Sequence, residues 1–201
     1  MIDGKIVRTG YTASRHSFTI ISDDHGVSWR IGSKVQPYHT TECSVAQSYE
    51  GTGDLYLYTR IWGHQPGEPR RGIAKSTDGG ETFGNATLRG LGDTAPDCEG
   101  SMISAKLNGT TCFFVSAPWS ASRKNLSVQS SCGATAPALW SAPVTVRPNA
   151  PAAVYQGYSS LAVAPGGALM DLFDTNECLT PRPMAHVCGG LVITEVPIGT
   201  E

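Results

Sequence analysis

Two segments of this chain share one pattern, Ser-x-Asp-x-Gly-x-x-aromatic. They are residues 22–29 (Ser-Asp-Asp-His-Gly-Val-Ser-Trp) and residues 76–83 (Ser-Thr-Asp-Gly-Gly-Glu-Thr-Phe). In such a segment the Ser and Asp side chains can bind nearby backbone N–H groups, and Gly adopts angles that other residues resist. The aromatic ring can pack back onto the sheet beneath the turn. A turn repeated in this form predicts a structural unit that is itself repeated.

The spacing of aromatic residues gives the size of this unit. Trp29, Phe83 and Trp140 are separated by 54 and 57 residues, although the turn before Trp140 lacks the Asp. Short strand-like runs recur between them, and no long stretch has helical periodicity. A period of about 50 residues with about four strands is typical of a β-propeller blade. We therefore predict an all-β chain with blades at about 1–39, 40–95, 96–150 and 151–201.

The composition is that of a turn-rich β protein without a strong electrostatic field. The chain has 23 Gly and 13 Pro, and its net charge is −2. So small a charge does not predict nucleic-acid or membrane-surface binding. No apolar run reaches the length of a membrane span. Neither the histidines nor the carboxylates predict a metal site, and no cofactor is expected.

Three glycosylation sequons, at Asn85, Asn108 and Asn125, indicate the secretory pathway. The first residues do not read as a signal peptide. We therefore expect a secreted or lysosomal glycoprotein whose N-terminal part precedes this sequence.

Six cysteines also fit an oxidising compartment, although their spacing is not that of a zinc site. Six cysteines allow 15 disulfide connectivities, and free buried thiols are the alternative. We favour one pairing, Cys178 with Cys188, as a bridge across one blade. The six positions are Cys43, Cys98, Cys112, Cys132, Cys178 and Cys188.

Four further segments, in order along the chain, resemble the sialidase (neuraminidase) family. They are residues 23–33, Glu42 with 54–60, 116–118 with 123–128, and the Gly-Tyr-Ser-Ser-Leu of 157–161. The Ser-x-Asp-x-Gly turns resemble that family's Asp-box (BNR) repeats. The likeness is greatest to the lysosomal sialidase subfamily of animals. It implies a six-bladed propeller, of which this chain would supply about four blades at the C-terminal end.

The resemblance implies a role for each of four residues. Arg60 and Arg123 match two of the three arginines with which the family binds the carboxylate of sialic acid, a task suited to the bidentate guanidinium. Tyr158 matches the nucleophile, and Glu42 matches the base that takes its proton. A neutral Tyr avoids the repulsion that a carboxylate nucleophile would meet from the substrate. The implied reaction is hydrolysis with retention, through a tyrosyl-glycoside intermediate.

The chain departs from the family pattern in two places. We find no match for the first arginine or the acid/base Asp, since Asp3 and Arg8 lack the expected context. Asp174 stands where the family has a Glu that orients the first arginine, so it is a shortened substitute. Because loss of a general acid typically costs 10²–10⁴-fold, we expect these 201 residues to hydrolyse sialosides poorly or not at all. Arg70 and Arg71 are predicted to be surface cations.

Three functions remain open from the sequence. The leading one is an exo-α-sialidase acting on sialylated glycoproteins, gangliosides or oligosaccharides, with ganglioside catabolism as a setting. The second is a propeller that binds acidic sugars without turnover, and the third is a structural propeller sharing only the Asp-boxes. The resemblance also raises a carboxypeptidase-type partner. Linkage preference, and hydrolysis as against sialyl transfer, stay open.

Overall fold

The computed structural model describes residues 5–36, 39–51, 53–63, 70–88, 98–120, 123–133, 136–148, 154–176 and 190–196. Within these ranges the chain forms 14 β-strands in antiparallel sheets and no helix. The predicted all-β fold is confirmed. The same ranges contain no helix that is long and apolar enough to cross a membrane.

The strands form four sheets in chain order, and each strand pairs with the one that follows it in the same sheet. Sheet I contains β1 (Ile6–Tyr11), β2 (Ser17–Ser22) and β3 (Arg30–Lys34). Sheet II contains β4 (Thr40–Gln47), β5 (Leu55–Ile61), β6 (Arg71–Ser76) and β7 (Thr87–Leu88). Sheet III contains β8 (Ser101–Leu107), β9 (Thr110–Pro118), β10 (Leu126–Cys132) and β11 (Val144–Thr145). Sheet IV contains β12 (Gln156–Val163), β13 (Leu169–Thr175) and β14 (Gly190–Glu195). One sheet lies in each predicted blade, and the borders between blades stay predictions.

The first strands of the sheets lie side by side, with β1 next to β4, β4 next to β8 and β8 next to β12. Hydrogen bonds join them directly. The hydroxyl of Thr9 donates to the Cys43 carbonyl at 2.8 Å, and the N–H of Met102 donates to the Ser44 hydroxyl at 2.7 Å. The first strands therefore form the hub of an arc of sheets, and the outer strands form its rim.

Apolar side chains pack between consecutive sheets, as the alternation of side chains along each strand requires. On β9, Phe113 packs towards sheet II and the next residue, Phe114, packs towards sheet IV. The cluster between sheets III and IV comprises Cys112, Phe114, Leu126, Val128, Val146, Leu161, Leu169, Phe173 and Val196. The cluster between sheets II and III comprises Ala46, Tyr58, Ile73, Met102, Phe113 and Val115. Val35, Leu57, Ala74 and Ala86 form a smaller cluster beside sheet II.

The turn at 76–83 is held by hydrogen bonds within its own few residues. The Ser76 hydroxyl accepts from the N–H of Gly80 at 2.9 Å and donates to Asp78 at 2.8 Å. Asp78 in turn accepts from the N–H of Thr82 at 3.0 Å. Gly80 has φ of 93°, a left-handed conformation that favours glycine. The sequence pattern therefore specifies the shape of this turn through local bonds. Hydrogen bonds from Thr19 and Ser33 to the carbonyls of Gly80 and Glu81 then join the turn to sheet I.

The turn at 22–29 repeats those bonds, but its aromatic ring behaves differently. Phe83 packs against the cluster beside sheet II, as predicted. Trp29 is 46% exposed, and its indole N–H donates to the Gly26 carbonyl within its own turn at 3.0 Å. The prediction that the ring packs onto the sheet therefore holds less well for Trp29, because the indole has an N–H to satisfy and finds an acceptor nearby.

The cysteines include both a disulfide and buried thiols. Cys112 and Cys132 face each other on β9 and β10 and form a disulfide. Cys43 and Cys98 are free thiols, and burial raises the pKa of each. The pairing of Cys178 with Cys188 lies outside the described residues. Both interpretations that the sequence left open thus apply to different cysteines.

Candidate active site

The structure brings together four of the predicted site residues from three sheets. Glu42 lies on β4 and Arg60 on β5, both in sheet II. Arg123 precedes β10 of sheet III, and Tyr158 lies on β12 of sheet IV. The four side chains meet at one end of the hub, where β4, β10 and β12 begin and β5 ends.

Glu42 binds both of its neighbours through its two carboxylate oxygens. The Tyr158 hydroxyl donates to Oε1 of Glu42 at 2.8 Å. Nη1 of Arg60 donates to Oε2 of Glu42 at 2.5 Å. A phenol, a carboxylate and a guanidinium are therefore linked in a row, although Glu42 and Tyr158 are 116 residues apart.

Two β-bulges aim Glu42 and Tyr158 into the site. On β4, Thr40 pairs with Ile61 and Cys43 pairs with Thr59, so that Thr41 and Glu42 lie opposite a single residue, Arg60. An extra residue of this kind redirects the side chains of a strand and is frequent beside active sites. The bulge explains why Glu42 reaches both Arg60 and, in sheet IV, Tyr158.

The bulge in β12 has the same form. Gln156 pairs with Thr175 and Ser159 pairs with Phe173, so that Gly157 and Tyr158 lie opposite Asp174 alone. Each bulge thus carries one of the two residues that the resemblance assigns to proton transfer and attack.

Arg60 is held in a nearly closed environment. Only 7% of the residue is exposed, and its Cζ lies 4.8 Å from the centre of the Trp62 ring. Arg15 lies over the same ring at 4.4 Å. Stacking on Trp62 and the ion pair with Glu42 orient the guanidinium, as a planar cation permits.

Arg123 approaches Tyr158 from the other side. Its Cζ lies 5.6 Å from the centre of the Tyr158 ring, and its Nη1 donates to the Tyr155 hydroxyl at 2.7 Å. Arg123 and Asn125 both have positive φ, of 51° and 54°, which folds this loop tightly before β10. Sequence reasoning missed Tyr155, because a lone Tyr before Gln156 carries no motif of its own.

Asp174 lies beside the bulge that carries Tyr158. A Cβ on Gly157 would lie 2.6 Å from Oδ1 of Asp174 and 2.4 Å from the Tyr155 hydroxyl, so a larger residue there would displace these side chains. Oδ1 of Asp174 is buried and has no hydrogen-bond partner. The suggested role of Asp174 in orienting an arginine stays a prediction.

Tyr158 is held in its protonated form. Burial and the hydrogen bond to Glu42 raise the pKa of Tyr158 to about 12, although the residue is 40% exposed. Both effects disfavour a phenolate, since one removes water and the other places a negative charge beside the oxygen. At neutral pH the side chain is a neutral phenol whose proton already points at a carboxylate.

The prediction that Arg71 is a surface cation is wrong. Arg71 is fully buried, and Nη1 donates to the Cys98 carbonyl. It pairs across the strands with Arg60, which places both side chains on the face of sheet II that packs against sheet III. No sequence pattern indicates the burial of Arg71, because that burial depends on the packing of the next sheet. Arg70 is half-buried.

Among the described residues, no three His, Cys, Asp or Glu side chains cluster in a way that could hold a metal ion. The polar groups of the site are a phenol, carboxylates and guanidiniums. Such a set can bind an anionic ligand and move a proton between oxygen atoms.

Comparison with known proteins agrees with this architecture. Residues 1–170 match the family model described as a BNR repeat-like domain. The chain belongs to this family. The match covers the turns at 22–29 and 76–83 together with Glu42, Arg60, Arg123 and Tyr158.

The similar proteins are sialidases. Human Sialidase-4 is 38% identical over 101 residues, which is 50% of this chain and 19% of that protein. Rat Sialidase-3 is 36% identical over 92 residues, which is 45% of this chain and 21% of that protein. The solved structure of Trypanosoma rangeli sialidase superposes with a TM-score of 0.65 at 18% identity, over 97% of this chain and 30% of that one.

These figures fix the fold and the extent of the likeness. The fold is that of a partial sialidase β-propeller, as predicted. The chain matches only about a fifth of the length of its curated relatives. The lysosomal subfamily stays a prediction.

Proposed function

We propose that this chain carries the nucleophile, its base and two carboxylate-binding arginines of an exo-α-sialidase. The enzyme would release terminal sialic acid from glycoconjugates with retention of configuration. The observation that carries this proposal is the hydrogen bond of 2.8 Å from the Tyr158 hydroxyl to Glu42, made across two sheets.

The proposed first step is attack of the Tyr158 oxygen on the anomeric carbon. The bond from that carbon to the aglycone oxygen breaks. Glu42 takes the phenolic proton, and the aglycone oxygen takes a proton from the acid/base Asp that the full-length enzyme would supply. Because the pKa of Tyr158 is raised to about 12, the phenol is not ionised beforehand, and proton transfer must accompany attack. In the second step water attacks the same carbon and gives a proton back to that Asp, and the departing Tyr158 oxygen recovers its proton from Glu42.

Arg60 would contact both the base and the substrate. Its Nη1 is paired with Glu42 at 2.5 Å. A substrate carboxylate that engages Arg60 would share this cation with Glu42. Arg123, 5.6 Å from the Tyr158 ring, would contact the same carboxylate from the opposite side.

We propose that the 201 residues alone turn over sialosides poorly or not at all. The sequence offers no match for the acid/base Asp, which protonates the leaving oxygen, or for the first arginine. Measurable turnover of a fluorogenic sialoside by this chain alone would contradict the proposal.

The decisive experiment is Tyr158→Phe in the full-length protein that carries this segment. Removal of the nucleophile should lower turnover by about 10³-fold or more, while the affinity for sialic acid changes little. Tyr49→Phe is a matched control, because Tyr49 is 51% exposed and lies away from the site. Unchanged turnover in Tyr158→Phe would overturn the proposed mechanism.

A second candidate is a propeller that binds acidic sugars without turnover. It is supported by the approach of two arginines to the site in a chain without a match for the general acid. In that case the chain binds sialic acid, measured by NMR titration, and Tyr158→Phe barely changes the affinity. A structural propeller that shares only the Asp-box turns gives no reason for Glu42, Arg60, Arg123 and Tyr158 to converge.

The substrates we propose are sialylated glycans of glycoproteins, gangliosides or oligosaccharides, with a role in their catabolism. We also propose a secreted or lysosomal glycoprotein, which the Cys112–Cys132 disulfide supports. A carboxypeptidase-type partner remains a proposal from the subfamily resemblance alone. Co-purification of a carboxypeptidase with this protein from its native source would test for the partner. A loss of mass on glycosidase treatment would test for glycans at Asn85, Asn108 or Asn125.

A further inference from the structure

A cavity of about 260 Å³ lies between sheets II and III and plays no part in the proposed chemistry. Residues of sheet II line one side of it, and residues 136–138, which follow β10 of sheet III, line the other. Its volume is just below the range of about 300–1,000 Å³ that is usual for small-molecule sites. The cavity therefore suits a ligand of about the size of one sugar ring.

The cavity lies beside the turn in which the repeated pattern is incomplete. In sheet II the turn at 76–83 is joined to sheet I, because the Thr19 hydroxyl donates to the Gly80 carbonyl at 2.7 Å. The corresponding turn of sheet III follows Cys132 and lacks the Asp of that pattern. Residues 136–138 of this turn face sheet II across the cavity. The gap between sheets II and III thus coincides with the altered turn.

Two of the residues that line the cavity belong to a glycosylation sequon. Asn85 and Thr87 are exposed, whereas Ala86 between them is buried in the cluster beside sheet II. Because side chains alternate along an extended segment, Asn85 and Thr87 point to the same side of sheet II, where the cavity lies. A sugar linked to the Asn85 amide therefore starts at the wall of the cavity.

The surroundings of the cavity offer both an aromatic surface and polar groups. The half-buried Tyr56 ring makes an edge-to-face contact with Phe113, with ring centres 5.1 Å apart. The Lys75 ammonium lies 5.8 Å from the centre of the Tyr56 ring and is paired with Asp54 at 2.6 Å. Trp140 packs against the same cluster as Tyr56, and its buried indole N–H has no acceptor among the described residues. A sugar suits such walls, because it can pack on an aromatic ring while its oxygens accept hydrogen bonds.

The sequon at Asn108 has different surroundings. Asn108 and Gly109 both have positive φ, of 49° and 82°, and form the tip of the hairpin between β8 and β9. Asn108 is exposed, and a Cβ on Gly109 would meet no other described residue within 4 Å. A sugar at this tip would stand in water, so the two sequons differ in what a glycan can contact.

We propose that the cavity between sheets II and III is the binding site of the first N-acetylglucosamine of a glycan attached to Asn85. In the attachment step the Asn85 amide nitrogen bonds to C1 of the sugar. The bond from C1 to the phosphate of a lipid-linked oligosaccharide breaks, and the amide proton passes to the lipid diphosphate that leaves. The sugar is then tethered beside the cavity, so even weak contacts with its walls are formed most of the time. The inference rests on the proposed secretory location, which supplies the glycan, and not on catalysis at Tyr158.

The test uses the full-length protein that carries this segment, secreted from yeast cells that attach high-mannose glycans. Mass spectrometry of its glycopeptides should find Asn85 occupied. Endoglycosidase H then cuts between the first and the second sugar and leaves one N-acetylglucosamine on Asn85, whereas peptide N-glycosidase F removes the whole glycan. Since the first sugar occupies the cavity, only the second treatment should empty it.

Hydrogen exchange followed by mass spectrometry measures the effect at the cavity. We expect the backbone N–H groups of 84–88 and 136–146 to exchange about five- to tenfold faster once the whole glycan is removed, and also in Asn85→Gln from the same cells. After endoglycosidase H they should exchange as in the untreated protein. Asn85→Gln avoids the carboxylate that peptide N-glycosidase F creates at residue 85, and the enzymatic treatments decide the outcome if this variant fails to fold.

Asn108→Gln is the matched control, because it removes a sequon of the same kind from a hairpin tip. It should leave exchange at 84–88 and 136–146 unchanged. Asn125 is unsuitable as a control, since it lies two residues after Arg123 of the candidate site. An unoccupied Asn85, equal exchange after the two enzymatic treatments, or an equal change in Asn108→Gln overturns the proposal. Glycans found only at Asn108 or Asn125 would overturn it while the secretory location stands, and none of these results bears on sialoside cleavage.

Discussion

In the turn at 76–83, Asp78 accepts hydrogen bonds from donors no more than four residues away. At the hub, Glu42 accepts one from a side chain 116 residues away. The consequences for ionisation are opposite. Hydrogen bonds from Thr82 are the main cause that lowers the pKa of Asp78 to about 2, whereas burial and Glu42 raise the pKa of Tyr158 to about 12.

The difference shows what each region is built to do. A carboxylate that accepts several N–H and O–H groups is stabilised as an anion and stays inert as a structural acceptor. A phenol whose donor points at a carboxylate stays neutral, and its partner can receive the proton. The turns at 22–29 and 76–83 stabilise the fold locally, whereas at the hub we propose that the proton of Tyr158 is held for transfer to Glu42.

The sharpest test of this contrast at the hub is Glu42→Gln. The amide can still accept from Tyr158 but cannot take its proton, so turnover by the full-length protein should fall by about 10²–10⁴-fold. The pKa of Tyr158 should also fall below about 12, because the neighbouring negative charge is gone. Kinetics and NMR titration measure the two effects, and turnover near that of wild type would exclude Glu42 as the base.

Arg60→Lys should have the next largest effect. Lysine keeps the charge but loses the planar fork that can bind a carboxylate at two points. We expect KM for a sialoside in the full-length protein, or Kd for sialic acid in a binding protein, to rise by about 10–100-fold. A rise no larger than in the control Lys124→Arg would show that Arg60 serves only Glu42.

At the rim, Ser76→Ala should cost about 1–3 kcal/mol of the free energy of unfolding, because the buried Gly80 N–H loses its acceptor. Turnover per folded molecule should stay unchanged. Urea unfolding measures the loss, with Ser14→Ala as an exposed control. If Ser76→Ala lowered turnover by more than its loss of stability explains, the turn at 76–83 would not act independently of the site at the hub.

The smallest effect is expected at acid pH. Because the folded pKa of Asp78 is about 2 and that of the free side chain is 3.8, Asp78 contributes stability above pH 4 that is lost as the pH falls towards 2. In Asp78→Asn this part of the pH dependence should shrink. Urea midpoints at several pH values between 2 and 6 measure it, and identical profiles for the two proteins would argue against the proposed role of the turn.

How far the sequence could predict the molecule depended on the range of the interactions. The turns at 22–29 and 76–83 are shaped by hydrogen bonds between near neighbours, so the repeated pattern was sufficient to predict them. Glu42, Arg60, Arg123 and Tyr158 were selected through family resemblance and not through local chemistry. The buried state of Arg71 was predicted wrongly, and Tyr155 was not predicted at all. The disulfide between Cys112 and Cys132 was one of many connectivities that the sequence allowed.

By itself, the sequence determined that this chain is all-β and repetitive and that short polar turns connect some of its strands. Those features depend on the spacing of the repeat, on glycine and on hydrogen bonds between near neighbours. Only the tertiary structure decided which charges meet. The bulges in β4 and β12 and the packing of sheet on sheet set the distance between Tyr158 and Glu42 and bury Arg71. Burial and contacts between distant segments are properties of the assembled sheets. They determine whether the pKa of a side chain such as Tyr158 is raised or lowered.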